Sequence, residues 1–353
     1  MKLLHLKIVV VGIVLMIGGS PSMAQDFNFS QFNSNRTFYN PAFTGIEKGV
    51  FRGSATYRKM WPNFPSNFST QFVNLEAKSY NAYGIGLFAI SNREGDGFLK
   101  TNTLGASYSW QGSISELAGS FFQLGINASY NMKEIDFNQF TFSDELDEIY
   151  GDIYSTSFSA DINKQNYWDF TVGALVQFPT IRRHRKIIIH TMGFALHHFT
   201  RPKDSFLDKD GRLPLKLTLH SQSSITTRTY SFNKEDRLRI IPSLVYQIQG
   251  EKLFNSASYN NLLYGVDIQS DPVFGGIWYS SQVLNNSKKN FKAVIFQFGV
   301  KLLSDNKKYV YRLSYSYDMS ISKLSSVTQG AHEISLSVDL HFPARYKYNI
   351  FSF

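Results

Sequence analysis

The chain contains no cysteine in its 353 residues. It can hold neither a disulfide staple nor a thiolate metal site, and the lipid-bearing cysteine of a bacterial lipoprotein is excluded. After the first two dozen residues, no window approaches the roughly twenty consecutive apolar residues that a membrane-spanning helix needs. Gly-x-Ser-x-Gly, a Walker phosphate loop and His-Glu-x-x-His are all missing. So is the Asp-x-Asp-x-Asp-Gly spacing of a dedicated calcium loop. Stability must then come from burial and sheet closure, and the expectation is a non-enzyme with no cofactor and no metal.

The opening residues carry an address. Lys2 and Lys7 lead into an apolar run from Ile8 to Ile17, which Gly18, Gly19 and Pro21 interrupt before the small-residue site Ser22-Met23-Ala24. This reads as a secretory signal peptide over residues 1–24, cleaved before Gln25, because the apolar run is too short to span a bilayer. The formal charge is +9, but the cations are scattered except at Arg182, Arg183, Arg185 and Lys186, a solvated basic turn. With export, this excludes nucleic acid as a partner.

Aromatic residues are abundant, with 31 Phe and 20 Tyr. From Val50 onward they sit in segments whose apolar side chains recur with a period of two, as on one face of an extended strand. The last of these is the most regular. Ile334, Leu336, Val338, Leu340 and Phe342 fall on one face, and Glu333, Ser335, Ser337, Asp339 and His341 on the other. Fourteen candidate strands follow the same rule: 50–59, 68–78, 82–90, 99–110, 122–132, 168–178, 186–198, 213–227, 238–248, 258–267, 273–281, 291–303, 309–319 and 332–342. Such strands, aromatic-rich yet only mildly hydrophobic on average, predict an all-β fold: a transmembrane antiparallel β-barrel of about fourteen strands.

Connection lengths support that reading. With the amino terminus in the periplasm, odd-numbered connections face outside and even-numbered ones, the shorter class, face inside. Ser79–Asn81, Asp271-Pro272 and 304–308 are short and inside, and the longest connection, 133–166, is outside. Gln111–Gly119 and Arg228–Arg237 are longer than the rule prefers. A barrel of this size is wider than eight-stranded barrels that side chains fill and narrower than sixteen-stranded porins. The organisation expected is therefore a signal peptide (1–24), a periplasmic or lumenal arm and possible plug (25–49), the barrel (50–342) and a tail (343–353).

Candidate sites are few. His197 and His198 are adjacent, so in an unbulged strand one faces the lumen and the other the interface, which argues against a shared catalytic site. The long outer loop interleaves Asp144, Glu145, Asp147 and Glu148 with Phe142, Leu146 and Tyr150, an acidic surface whose apolar anchors suit a docking partner better than a cation. Tyr57, Trp61, Trp110, Trp168 and Trp278 read as interfacial girdles. Asn40, Pro41, Ala42, Phe43 and Gly45 form a turn signal ahead of the first strand.

Several segments together resemble one family. These are Asn40-Pro41-Ala42-Phe43-Thr44-Gly45, Arg58–Trp61, Tyr83-Gly84-Ile85-Gly86-Leu87, Leu213-Pro214, Ile241-Pro242-Ser243, Gly275–Tyr279, Tyr315–Asp318 and Gly330–Leu336. Their order and spacing over the whole mature chain are similar to the PorP/SprF family of Bacteroidetes. The resemblance implies an outer-membrane protein of the type IX secretion system, tied in some members to gliding motility. It also implies an accessory role in secretion or surface attachment of a large cargo protein, such as an adhesin, bearing a type IX C-terminal domain. Implied partners are that cargo, other secretion components and outer-membrane lipid. The competing expectation is a passive outer-membrane porin.

Overall fold

The structure, a computed structural model, describes residues 26–341 apart from 47–49, 64–67, 80–81, 96–97, 115–118, 138–139, 143, 148–150, 153–155, 157–162, 183–185, 207–210, 232–233, 251–258, 284–289, 307 and 322–328. The signal peptide, Phe342, the tail, Glu148 and Tyr150 lie outside the described residues.

Fourteen strands form a closed barrel. They are β1 (Phe51–Met60), β2 (Phe68–Lys78), β3 (Tyr83–Glu94), β4 (Leu99–Ser113), β5 (Phe121–Ile135), β6 (Lys164–Arg182), β7 (Lys186–His197), β8 (Leu215–Ser231), β9 (Lys234–Gly250), β10 (Tyr259–Ser270), β11 (Val273–Val283), β12 (Asn290–Leu303), β13 (Tyr309–Ser320) and β14 (Ala331–Leu340). Sequence neighbours pair antiparallel around the wall, and β14 pairs with β1 from Phe51↔Leu340 to Met60↔Ala331. Each candidate strand corresponds to one barrel strand. Closure removes both sheet edges, so every ladder finds a partner, as a bilayer core demands.

The barrel is inside-out relative to a water-soluble protein. Ile85, Leu87, Leu104, Ile277 and Phe298 are each more than half exposed, while Asn74, Thr103, Ser109, Gln123 and Ser316 are buried. On β14 the exposed side chains are Ile334 and Leu336, and Glu333, Ser335, Ser337 and Asp339 are buried; Val338 and Leu340 are half-buried. An apolar outer surface around a polar interior places lipid outside and hydrogen-bonding groups in the lumen. Among the described residues, no helix is long and apolar enough to cross a membrane.

Strand ends differ from the sequence reading where the apolar alternation stops before the ladder does. β8 and β9 stay paired as far as Ser231↔Lys234, which reduces the apparently long Arg228–Arg237 connection to 232–233. Backbone pairing does not need lipid, so it continues into water beyond the last lipid-facing side chain. The Gln111–Gly119 connection shrinks likewise, because β4 runs on to Ser113. All even-numbered connections are thus short, and the end of the barrel that carries the longer loops is the outer one.

Candidate functional site

The lumen is occupied by the chain's own amino-terminal arm. Asp26 lies at the outer end, against His198 after β7 and Lys216 at the start of β8. Gly45 lies at the inner end, where its N–H donates to Glu76 Oε2 at 2.9 Å. The arm therefore descends the whole lumen before the chain turns back into β1. Within it, a short helix α1 (Arg36–Tyr39) leads into a 3-10 turn at Pro41–Phe43. Phe29, Phe32, Tyr39, Ala42 and Phe43 are buried, and with wall residues such as Phe72 and Trp278 they make the core. An apolar core inside a polar lumen is possible because the arm brings its own aromatic rings: Phe32 and Tyr39 stand edge to face at 5.2 Å, Phe29 and Phe38 at 4.9 Å.

Three polar anchors fix the arm. At the inner and middle levels, the Asn40–Gly45 segment is more than a turn. Asn40 Oδ1 accepts from Ala42 N at 2.9 Å and caps the 3-10 turn, while its Nδ2 donates to the Ala174 and Phe194 carbonyls at 3.1 and 3.0 Å. The Thr44 carbonyl accepts from Ser109 Oγ at 2.7 Å and Gln123 Nε2 at 2.9 Å. Close approach to the wall requires glycine there: a Cβ on Gly173 would stand 2.0 Å from Asn40 Oδ1. Gly45 itself has φ +70, a left-handed backbone that favours glycine.

The second anchor crosses the seam of the barrel. Arg58 on β1 meets Asp318 on β13 at 2.7 Å and Glu333 on β14 at 3.0 Å. Glu333 also accepts from the backbone N–H groups of Ser30 and Gln31 at 2.7 and 3.1 Å and from Asn35 Nδ2 at 3.2 Å. Ser30 Oγ donates to Asp318 Oδ2 at 2.6 Å. One cation thus bridges two buried carboxylates, and the arm's amides satisfy most of the remaining acceptors.

The third anchor holds the outer tip. His198 bridges two carboxylates, Nε2 to Asp26 at 2.9 Å and Nδ1 to Asp169 at 2.8 Å, and Lys216 Nζ reaches Asp26 at 3.3 Å. Burial opposes the charged imidazole, but the Asp26 and Asp169 carboxylates outweigh it and push His198 up to about 10. Burial likewise opposes ionised Asp26, yet Lys216 and His198 hold its carboxyl far below the usual range.

Two sequence readings are corrected here. His198 has φ +57 and lies beyond the end of β7, so strict alternation ends and both histidines reach the lumen, His197 toward Thr171 and Thr218 and His198 toward Asp26. The two rings, 6.2 Å apart, have different hydrogen-bonding partners. Trp278 is not a girdle residue: it is 1% exposed, its Nε1 donates to Asp267 at 2.8 Å, and its ring lies 6.4 Å from Phe32. Its strand neighbour Ile277 takes the lipid side instead. The signal was available in the inward row Trp278, Ser280 and Gln282, whose other members are polar. Tyr57, Trp110 and Trp168 are exposed, whereas Trp61 is half-buried at the outer end.

The acidic outer loop is partly folded on itself. Leu146 and Asp147 pair with Asp152 and Gly151 in a small hairpin. Asp144 accepts from Thr156 Oγ1 at 3.0 Å, and Glu145 Oε2 accepts from the Phe142 N–H at 2.7 Å. Phe142 lies 6.4 Å from Phe140, which is 5.1 Å from Phe98. Among the described residues, no group of His, Asp or Glu side chains is arranged to hold a metal.

Of the residues that anchor the arm, Asn40, Gly45 and His198 stand out in the sequence by themselves. Arg58, Asp318 and Glu333 fall within the family-like segments Arg58–Trp61, Tyr315–Asp318 and Gly330–Leu336, but no local pattern signals that they meet, and Asp26 is legible only as part of a polar lead-in.

Comparison with solved structures finds several barrels of low sequence identity. The CymD monoaromatic hydrocarbon channel matches with a TM-score of 0.46 and 10% identity, covering 92% of this chain and 96% of the other. A Pseudomonas aeruginosa FadL homologue matches at 0.46 and 11%, covering 91% and 99%. The translocator domain of the autotransporter NalP from Neisseria meningitidis matches at 0.35 and 10%, covering 84% and 89%. No curated protein sequence matches. The sequence model described as "Type IX secretion system membrane protein PorP/SprF" matches residues 22–338, and on that match across nearly the whole barrel and its lumenal arm the chain belongs to the PorP/SprF family.

Proposed function

We propose that this protein is an outer-membrane accessory component of type IX secretion, which assists secretion or cell-surface attachment of a large cargo protein bearing a type IX C-terminal domain, such as an adhesin. The observation that carries this reading is the arm. A lumen threaded from end to end by residues 26–46, and tied to the wall at three levels, is built to be closed. The useful surfaces are then the two mouths and the outer loops, where partners dock. In this reading the signal peptide is removed before Gln25, lipid surrounds the barrel, and other secretion components meet the inner rim. The role is partnership without catalysis, and the Phe142–Tyr150 loop offers the docking surface for cargo.

Two experiments test it. Native protein recovered from outer membranes should bring down a large surface protein with a type IX C-terminal domain; recovery of an isolated, conducting barrel would favour the porin instead. Replacing residues 138–162 with a short turn should abolish cargo retention while the barrel still assembles. Retention at the wild-type level would remove the loop from the proposal.

A further inference from the structure

A cavity of about 370 Å³ opens at the outer end of the lumen, beside the tip of the arm. Its walls carry aromatic side chains, among them Phe27 from the arm, Trp61 after β1, Phe68 on β2, Tyr259 on β10 and Phe291 on β12. Its polar groups are amides and hydroxyls together with the carboxylates of Asp26, Glu94 and Asp318, and the one that matters most is Asp318. That residue is 7% exposed, and its Oδ2 is engaged by Arg58 and Ser30. Its other oxygen, Oδ1, is buried with no protein hydrogen-bond partner. A buried carboxylate oxygen without a donor is costly to leave unmade, which makes it a strong acceptor for a cationic donor.

The surrounding charge is mixed with a slight acidic excess, Asp26, Glu94 and Asp318 against Arg58 and Lys292 in the lining. Arg58 is one cation against Asp318 and Glu333, so that cluster carries a formal net charge of −1. Glu94 lines the same cavity, with one oxygen accepting from Asn92 Nδ2 at 2.8 Å. Asp26 is offset by Lys216 and His198, and Lys292 is an exposed residue of the lining. Aromatic faces attract a cation through their quadrupole and repel an anion. For an anionic ligand the cavity offers only Arg58, which two carboxylates already occupy, and the exposed Lys292.

We propose that this outer chamber is a binding site for an alkylammonium or guanidinium group, held by Asp318 Oδ1 and the surrounding rings. The group comes from a Lys or Arg side chain of a surface polypeptide or from a free polyamine. The inference goes beyond the secretion reading and stands without it.

The test uses the full-length protein in detergent at low salt, titrated calorimetrically with the tripeptide Gly-Arg-Gly, its neutral citrulline counterpart and spermidine. A cationic probe should bind, and the citrulline peptide should bind at least about tenfold more weakly. Asp318→Asn should weaken the cationic probe by about tenfold, and Phe291→Ala severalfold. Tighter binding of Gly-Arg-Gly marks a polypeptide source, and tighter binding of spermidine a polyamine. Equal binding of arginine and citrulline peptides, or no binding of either cation at millimolar concentration, would overturn the proposal. If Asp318→Asn loses heat-modifiable migration, Glu94→Gln and Phe291→Ala probe the same cavity without touching the Arg58 ion pairs; wild-type affinity in both is equally fatal.

Discussion

Arg58 on the first barrel strand and Glu333 on the last are register partners across the seam that closes the barrel, and their side chains meet at 3.0 Å inside the lumen. The same carboxylate accepts the Ser30 and Gln31 amides, so closure of the barrel and placement of the arm are one structural event. Glu333→Ala leaves Arg58 with Asp318 alone and strands two arm amides. Asp318 still balances Arg58, so the loss lies in the stranded donors, and each buried donor left without an acceptor costs about 1 to 3 kcal/mol. The urea midpoint of unfolding in lipid should fall accordingly, and a shift equivalent to less than about 1 kcal/mol would mean that the lumen is far wetter than the burial indicates.

The arm's occupancy of the lumen makes a conductance prediction. Deleting residues 26–46 removes Phe29, Phe32, Tyr39 and Phe43 from the lumenal core. Single-channel conductance in planar bilayers should rise from near zero to a sustained open level. A deletion variant that folds and stays closed would show that something other than the arm blocks the barrel.

Leu336 and Ser337 are chain neighbours on opposite faces of β14, 47% and 7% exposed. Near the middle of a strand that faces lipid, Leu336→Arg should cost about 2 to 4 kcal/mol. Ser337→Asn, a polar change in the lumen, should cost much less. Equal stabilities would reverse the assigned faces.

The His198 anchor gives the arm tip a pH dependence. His198 is raised from its ordinary value of 6.5 to about 10 in the folded protein, so its contribution is complete below pH 6.5 and is lost as pH rises through 10. Asp26 is depressed, so its contribution holds above the ordinary carboxylate value of 3.8 and is lost as pH falls below it. The tip should therefore be held tightest between these limits. Because the chain has no cysteine, Asn28→Cys provides a single thiol whose labelling rate reports tip release. Labelling should accelerate toward pH 10 after correction for thiol ionisation, and His198→Gln should remove that acceleration. A rate that tracks thiol ionisation alone in both proteins would dismiss the latch.

The Asn40 contacts show how far a local signal reaches. Asn-Pro followed by Gly was readable as a turn, and Asn40 does cap the 3-10 turn at Pro41–Phe43. Its bonds to the Ala174 and Phe194 carbonyls join residues 134 and 154 positions away, and no local pattern encodes them.

By itself the sequence determined the barrel, the number of its strands and the lipid face of β14, because side-chain alternation and the segregation of apolar from polar groups are properties of neighbouring residues. Only the tertiary structure decided that Trp278 faces inward, that both His197 and His198 reach the lumen, and that the arm descends through the barrel. It alone brought Arg58 to Asp318 and Glu333, 260 and 275 positions along the chain. Those contacts depend on which strands become neighbours where the barrel closes, and that is set by closure and register around the whole barrel.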